Sequence, residues 1–310
     1  LFTDEKHLRE VVAESRSRLK VRLMSAGHQA AAGRAAAQFS KSSWLNDRSV
    51  GLGYYDYLVQ LDEHFDEEKE RLITGCKAIL AKALHKQDLL VSITGNQKDY
   101  EAFENEFEGF LKRLQNFEQD EAWTAEADSL TKLETFEPKL GVTQEAFSTP
   151  AEIQYVAVGG DFSEVAHNYG ALRVVRHLLN FDYLWNEVRV KGGAYGVSCQ
   201  FNRVGEGYFA SYRDPNLQAT IDTYRNAAAY LENYDAQERG MDTPLTPNMK
   251  GRRSITAYLT EQSIEELQKT RDQVLACSIE DIRKLATVIK AVTESGSVCV
   301  IGNEQHIQEE

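Results

Sequence analysis

The sequence predicts an α+β chain of two related domains, the first truncated and mainly helical. Helical apolar spacing dominates up to residue 117, broken by one short β-branched run. Beyond residue 151 the order becomes strand, helix, hairpin, helices and strand. An apolar strand ending in isoleucine, glycine and asparagine occurs twice, at Ile93–Asn96 and Ile301–Asn303, which relates the two parts.

Residues 4 to about 40 carry Leu8, Val11, Val12, Leu19, Leu23 and Met24 among charges, then an alanine-rich run from Ala30 to Ala37, so they read as a long helix or a bent pair. After the turn-like Ser40-Lys41-Ser42-Ser43, helical spacing returns from Gly53 to Val59 and from Glu67 to Leu84. Leu89 to Gly95 is short, apolar and β-branched, the signature of a buried strand, and residues 98 to 115 are helical again. Acids accumulate after Asn116, and Pro138 and Pro150 break the chain. The expected division is therefore a helical domain over 1–117 with one strand at 89–95, a linker over 118–150, and a complete α+β domain over 151–310. A second domain of about 160 residues implies that a full first domain would start roughly 65 residues before Leu1.

The second domain opens with a strand at Ile153–Gly160, followed by helix-spaced Val165, Tyr169, Leu172, Val175 and Leu179. Tyr195, Val197, Cys199 and Phe201 alternate with Gly196, Ser198 and Gln200 as one arm of a hairpin, and Tyr208 to Tyr212 is the return arm. Asp214-Pro215 reads as the cap and first position of a helix reaching about Tyr234. Ser263-Ile264-Glu265-Glu266 and Ser278-Ile279-Glu280-Asp281 start two further helices, and Ser297–Asn303 is the last strand.

Composition limits the function. The 310 residues are 42% apolar and 27% charged, enough for two cores. A net charge of -13 and a pI near 5.1 disfavour nucleic acid and anionic membrane as partners. No apolar run approaches the roughly 18 residues that span a bilayer, so the chain reads as soluble. Cys76, Cys199, Cys277 and Cys299 form no C-x-x-C pair and read as reduced, packed thiols. The chain starts at Leu1 without methionine or leader, as an excised piece would.

The chemistry concentrates between residues 184 and 214. Arg189 and Tyr195 flank the Gly192-Gly193 turn, which lets another backbone come close. A guanidinium fork suits carbonyl oxygens and a phenol can donate to a developing oxyanion. The same spacing also fits an arginine capping a helix C-terminus and a strand aromatic packed in a core.

The runs Tyr183–Gly196 and Ser211–Leu217 resemble the C-terminal half of the pitrilysin/insulinase-type (family M16) zinc metallopeptidases, most closely the presequence-protease subfamily, subfamily C. Gly27-His28, Gly51 to Leu58, Gln154–Ala157, Asp242-Thr243-Pro244 and Gln268–Arg271 extend the likeness over nearly the whole chain. The resemblance implies M16-like domains with a mixed or antiparallel sheet, and two halves closing around a peptide chamber. It implies zinc held by the N-terminal half through an H-x-x-E-H motif, with unfolded oligopeptides as substrates. Tyr195 is implied to be catalytic, and Arg189, Gly192, Gly193 and Ala194 to contact substrate. A bacterial cytosol is favoured over an organelle matrix. None of His7, His28, His64, His85, His167, His177 and His306 forms that motif, so this chain is expected to bind no metal and to be inactive alone. A non-catalytic scaffold or peptide-binding subunit is the alternative. Between Glu232 and Pro244 the chain is shorter than the family pattern.

Overall fold

The computed structural model describes residues 4–83, 89–118, 138, 140–149, 153–165, 167–235, 246–294 and 296–309, grouped in two compact units. The early helices are α1 (Glu5–Ser25), α2 (Gly27–Ala36), α3 (Lys41–Val50), α4 (Leu52–Glu63), α5 (Phe65–Ala83) and α6 (Gln97–Glu118). The strand expected at 89–95 is absent: residues 89–94 have no regular structure and are exposed. A β-branched run becomes a strand only when a neighbour completes its ladder, and none of the five strands described below pairs with it. Asn96 instead caps α6, its Oδ1 accepting the Asp99 N–H at 3.0 Å while Asp99 accepts the Asn96 N–H at 3.1 Å. These residues belong to the first unit, which comprises residues 1–11, 60–137 and 242–264 and includes α9 (Pro247–Leu259). Within it Lys69 pairs with Glu5 at 2.8 Å and Arg9 lies over the Phe65 ring.

The second unit, residues 12–59, 138–241 and 265–310, is built on a five-stranded sheet of β1 (Gln144–Thr149), β2 (Tyr155–Asp161), β3 (Gly196–Phe201), β4 (Glu206–Tyr212) and β5 (Ser297–Asn303). The order is β1-β5-β2-β4-β3, antiparallel throughout except for the parallel β1–β5 pair. β1 corrects the linker expectation, because residues 144–149 form a strand in register with Val298–Asn303. Its Gln-Glu-Ala-Phe-Ser-Thr sequence is a half-exposed sheet edge, too polar to read as a strand alone. Residues 119–137 of the expected linker lie outside the described residues, as do 236–245, where the chain reads as short.

α7 (Tyr169–Leu178), α8 (Gln218–Glu232) and α12 (Ala286–Glu294) pack on one face of the sheet, and α2 on the other. β2 is sandwiched between these layers and is buried from Tyr155 to Gly160, which is why it reads as an uninterrupted apolar run. The core on the α7 side includes Leu172, Val175, Leu178, Phe209, Tyr224 and Ile289. On the α2 side, Ala31, Ala32 and Ala35 are buried against the sheet, and a Cβ at Gly27 would overlap the Tyr155 ring. Arg34 on α2 grips Glu145 of β1 with two bonds of 2.7 Å and Asp47 of α3 with one of 2.9 Å. α10 (Ile264–Leu275) starts after Ser263 as expected, and α11 (Ile279–Lys284) begins in the predicted capping box of Ser278 and Asp281. α13 (Glu304–Glu309) is the last helix of the described residues.

Candidate functional site

α7 does not stop at Leu178. It continues through π-helical turns at Leu179–Tyr183 and Trp185–Lys191, where each turn holds an extra residue. Asn180 stands at the first widening and has a role that its sequence context, Leu-Leu-Asn-Phe, does not announce. Its Oδ1 accepts the Cys199 N–H at 2.7 Å, while its Nδ2 donates to the Cys199 carbonyl at 3.1 Å and to the Arg176 carbonyl at 2.8 Å. One amide thus satisfies both outward backbone groups of Cys199 on the sheet's edge strand and ties that strand to the helix bearing Arg189.

At the far end Gly192 and Gly193 turn the chain into β3. Gly193 has φ +83°, a left-handed conformation that costs a residue with a β-carbon about 1–2 kcal/mol. The N–H groups here are all used inside the turn: Gly192 donates to Glu187, Gly193 to Arg189 and Ala194 to Val188, at 3.0 to 3.1 Å. The Ala194 methyl is buried in the core at 3% exposure. The N–H groups of Gly192, Gly193 and Ala194 are therefore committed within the turn, and the Ala194 side chain is buried. They shape the turn.

That turn brings Arg189 and Tyr195 together. The Arg189 guanidinium stacks 4.0 Å from the Trp185 ring centroid and 6.0 Å from that of Tyr195. Among the described residues no carboxylate pairs with it, so the aromatic face holds the cation while its in-plane donors stay free. Tyr195 is 67% exposed, which excludes the core-aromatic alternative. Its N–H goes to the Tyr212 and Arg213 carbonyls at 3.0 and 3.3 Å, and its ring meets Tyr212 edge-on with centroids 5.6 Å apart.

The segment Tyr212–Asn216 braces the site. Arg213 adopts φ +52°, Asp214 is fully buried, and Gln154 and Asp214 exchange backbone hydrogen bonds. The Asp214 carboxylate accepts from the Asn216 N–H and the Thr220 hydroxyl, and Asn216 Nδ2 donates to the Gly192 carbonyl at 2.6 Å. This corrects the expected helix start: α8 begins at Gln218, and Asp214 is spent on the turn rather than on a cap. Behind Tyr212 lies His28, ring to ring at 5.0 Å. Its Nδ1 is buried with no partner among the described residues, and burial lowers its pKa. Burial also pushes the Tyr183 phenol, which donates to the Thr223 carbonyl, up to about 12.

Among the described residues no group of three or more His, Cys, Asp or Glu side chains could hold a metal ion. His64, in the sequence nearest to a ligand motif, follows the end of α4 and has its Nδ1 3.1 Å from the Gln60 carbonyl of that helix. No helix of the described residues is long and apolar enough to cross a membrane.

The family described as PreP C-terminal domain matches residues 144–304, starting at the first residue of β1, and the family described as associated with peptidase family M16, subfamily C, matches residues 1–61. The chain is 32% identical to Protein HypA of Clostridium perfringens over 320 residues, covering 99% of this chain and 31% of that protein. It is 27% identical to the chloroplastic/mitochondrial Presequence protease 1 of Arabidopsis thaliana, covering 99% of this chain and 28% of the relative. It is likewise 27% identical to the mitochondrial presequence protease of Eremothecium gossypii, with coverages of 84% and 27%. The chain spans about three tenths of the length of these relatives. Among solved structures, pitrilysin aligns with a TM-score of 0.40 at 11% identity, over 52% of this chain and 19% of that one. A Helicobacter pylori protease aligns with a TM-score of 0.39 at 14% identity, over 58% and 51%. With the C-terminal domain matched over residues 144–304 of 310, the chain belongs to the presequence-protease family of M16 peptidases, whose C-terminal domain it carries.

Proposed function

We propose that the chain is the C-terminal, non-zinc-binding half of a metalloendopeptidase that degrades unfolded oligopeptides, and that it supplies Arg189 and Tyr195 to the reacting peptide. The observation that carries this reading is the presentation of both groups: a guanidinium held flat on Trp185 and an exposed phenol held by Tyr212, 6.0 Å from guanidinium carbon to ring centroid. Zinc bound by the other half of the protein supplies a Lewis acid and an activated water. Within this chain, the Arg189 donors hold a backbone carbonyl of the extended peptide. The Tyr195 O–H donates to the carbonyl oxygen of the scissile bond as negative charge builds on it, an interaction that strengthens only along the reaction coordinate. The turn N–H groups are committed, so these two side chains carry the polar contacts. On its own the chain is inactive in this reading, because its histidines spell no H-x-x-E-H motif.

In the full-length protein, Tyr195→Phe lowers kcat by about 10 to 1000 fold with a smaller change in KM. Unchanged turnover in that variant removes Tyr195 from the mechanism, whereas no turnover in the full-length parent leaves the non-catalytic scaffold as the reading.

A further inference from the structure

A phenol that donates to a developing charge has to be held in one orientation, since a misplacement of about 1 Å can cost a hundredfold in rate. Tyr195 has little core around its ring, being 67% exposed. What locates that ring is Tyr212, the last residue of β4, with centroids 5.6 Å apart and planes at 70°, the edge-to-face geometry that aromatic quadrupoles favour. The orientation of Tyr195 therefore depends on whatever holds Tyr212.

Three further groups meet the Tyr212 ring. The Arg213 guanidinium lies 5.5 Å from its centroid, and Tyr155 of β2 packs against it at 5.6 Å. His28 of α2 meets it edge-to-face at 5.0 Å, closer than either tyrosine. Tyr155 is 2% exposed and its hydroxyl donates to the Met24 carbonyl at 2.5 Å, so it is fixed within the core. His28 is half-buried and belongs to the helix on the sheet face opposite α7. Gly27, just before it, explains how it arrives there. A Cβ at Gly27 would lie 2.3 Å from a carbon of the Tyr155 ring, so the glycine lets the start of α2 close onto that ring and seats His28 against Tyr212. The Nδ1 of His28 is buried with no hydrogen-bond partner among the described residues. Its ring contacts, with Tyr212 and at 6.5 Å with Tyr155, are what hold the imidazole in place.

We infer that His28 is a positioning residue for Tyr195: its ring fixes the Tyr212 ring, which in turn orients the phenol. The inference rests on the proposed function and deepens it, because it adds a residue of α2 to a site otherwise formed by the Gly192-Gly193 turn and the end of β4. The Gly27-His28 pair thereby acquires a joint role, the glycine admitting the helix and the histidine setting the tyrosine.

The test uses the full-length protein, an oligopeptide whose cleavage is read by fluorescence, and 3-fluorotyrosine introduced at position 195 alone. His28→Ala, which removes the ring, lowers kcat by about 3 to 10 fold, the size of one lost aromatic contact, with KM changed less than about twofold. His28→Gln, close in size but without a ring, gives the same result and serves where His28→Ala melts below the assay temperature. His28→Phe, which keeps a ring against Tyr212, recovers most of the loss. In a Tyr195→Phe background His28→Ala has no further effect, because the group it orients is gone. The fluorine resonance at position 195 moves in His28→Ala and returns toward its parent position in His28→Phe. A resonance that stays put in folded His28→Ala and His28→Gln, or a kcat loss that persists undiminished in the Tyr195→Phe background, overturns the positioning role. A moved resonance with a silent Tyr195→Phe keeps that role and removes the catalytic reading. An unmoved resonance with a strong Tyr195→Phe effect gives the reverse.

Discussion

Asn180→Ala is the sharpest test of how the site is held. The substitution removes the amide that accepts from the Cys199 N–H at 2.7 Å and donates to the Cys199 carbonyl at 3.1 Å. Cys199 is fully buried, so water does not readily replace either partner. With about 1 kcal/mol for each net bond and a further penalty for a buried group left unpaired, the loss sums to about 2–3 kcal/mol. For a compact unit of this size that lowers the Tm by roughly 5–10 °C. Urea denaturation should give a lower midpoint at an unchanged m-value, and hydrogen exchange should show the Cys199 amide losing protection. Asn180→Leu, which keeps the volume but not the hydrogen bonds, should lose about as much. A change below about 0.5 kcal/mol in both variants, the scale of an ordinary surface substitution, would refute the claim that this amide ties the edge strand to the helix.

Three other outcomes are expected. Gly27→Ala drives a methyl into the Tyr155 ring, which is 2% exposed, and should cost about 1–3 kcal/mol in chemical denaturation. Arg34→Met strands Asp47 and Glu145 without their cation and should cost about 3–5 kcal/mol, while replacing all three residues by apolar ones should recover most of it. Burial lowers the His28 pKa below its ordinary 6.5, so below about pH 6.5 the unfolded chain binds a proton that the folded chain resists. Stability should therefore fall on acidification through that value, and the part due to this residue should vanish in His28→Phe, measured as urea midpoints at pH 5 and 7.5.

What could be read from the sequence was what depends on local pattern. β2 announced itself because both of its faces are buried, the β3–β4 hairpin because its arms alternate, and α11 because Ser278 and Asp281 cap each other. Arg189 and Tyr195 were legible as a pair because one turn joins them. The strand expected at Leu89–Gly95 failed because strand formation depends on a neighbour that local sequence does not specify. β1 was missed for the opposite reason: its partner β5 is more than 140 residues away, and its own side chains are half exposed. Asn180 was invisible as a brace because it serves Cys199 atoms that only the tertiary fold brings near, and Asp214 because its backbone pairs with the distant Gln154 while its carboxylate holds a local turn. Asp214-Pro215 even imitates a helix start.

The widened helical turns before Gly192 also determine which lengths the segment tolerates. Deleting one residue between Leu179 and Lys191 would let the backbone relax toward ordinary α-helical pairing, a change that helix energetics alone would welcome. Yet a residue removed between Trp185 and Arg189 would break the four-residue spacing that sets the guanidinium one helical turn from the indole, and would carry it off that ring. The surplus residue in those turns is thus an aiming device, and the chain keeps a less comfortable spiral so that one side chain points the right way.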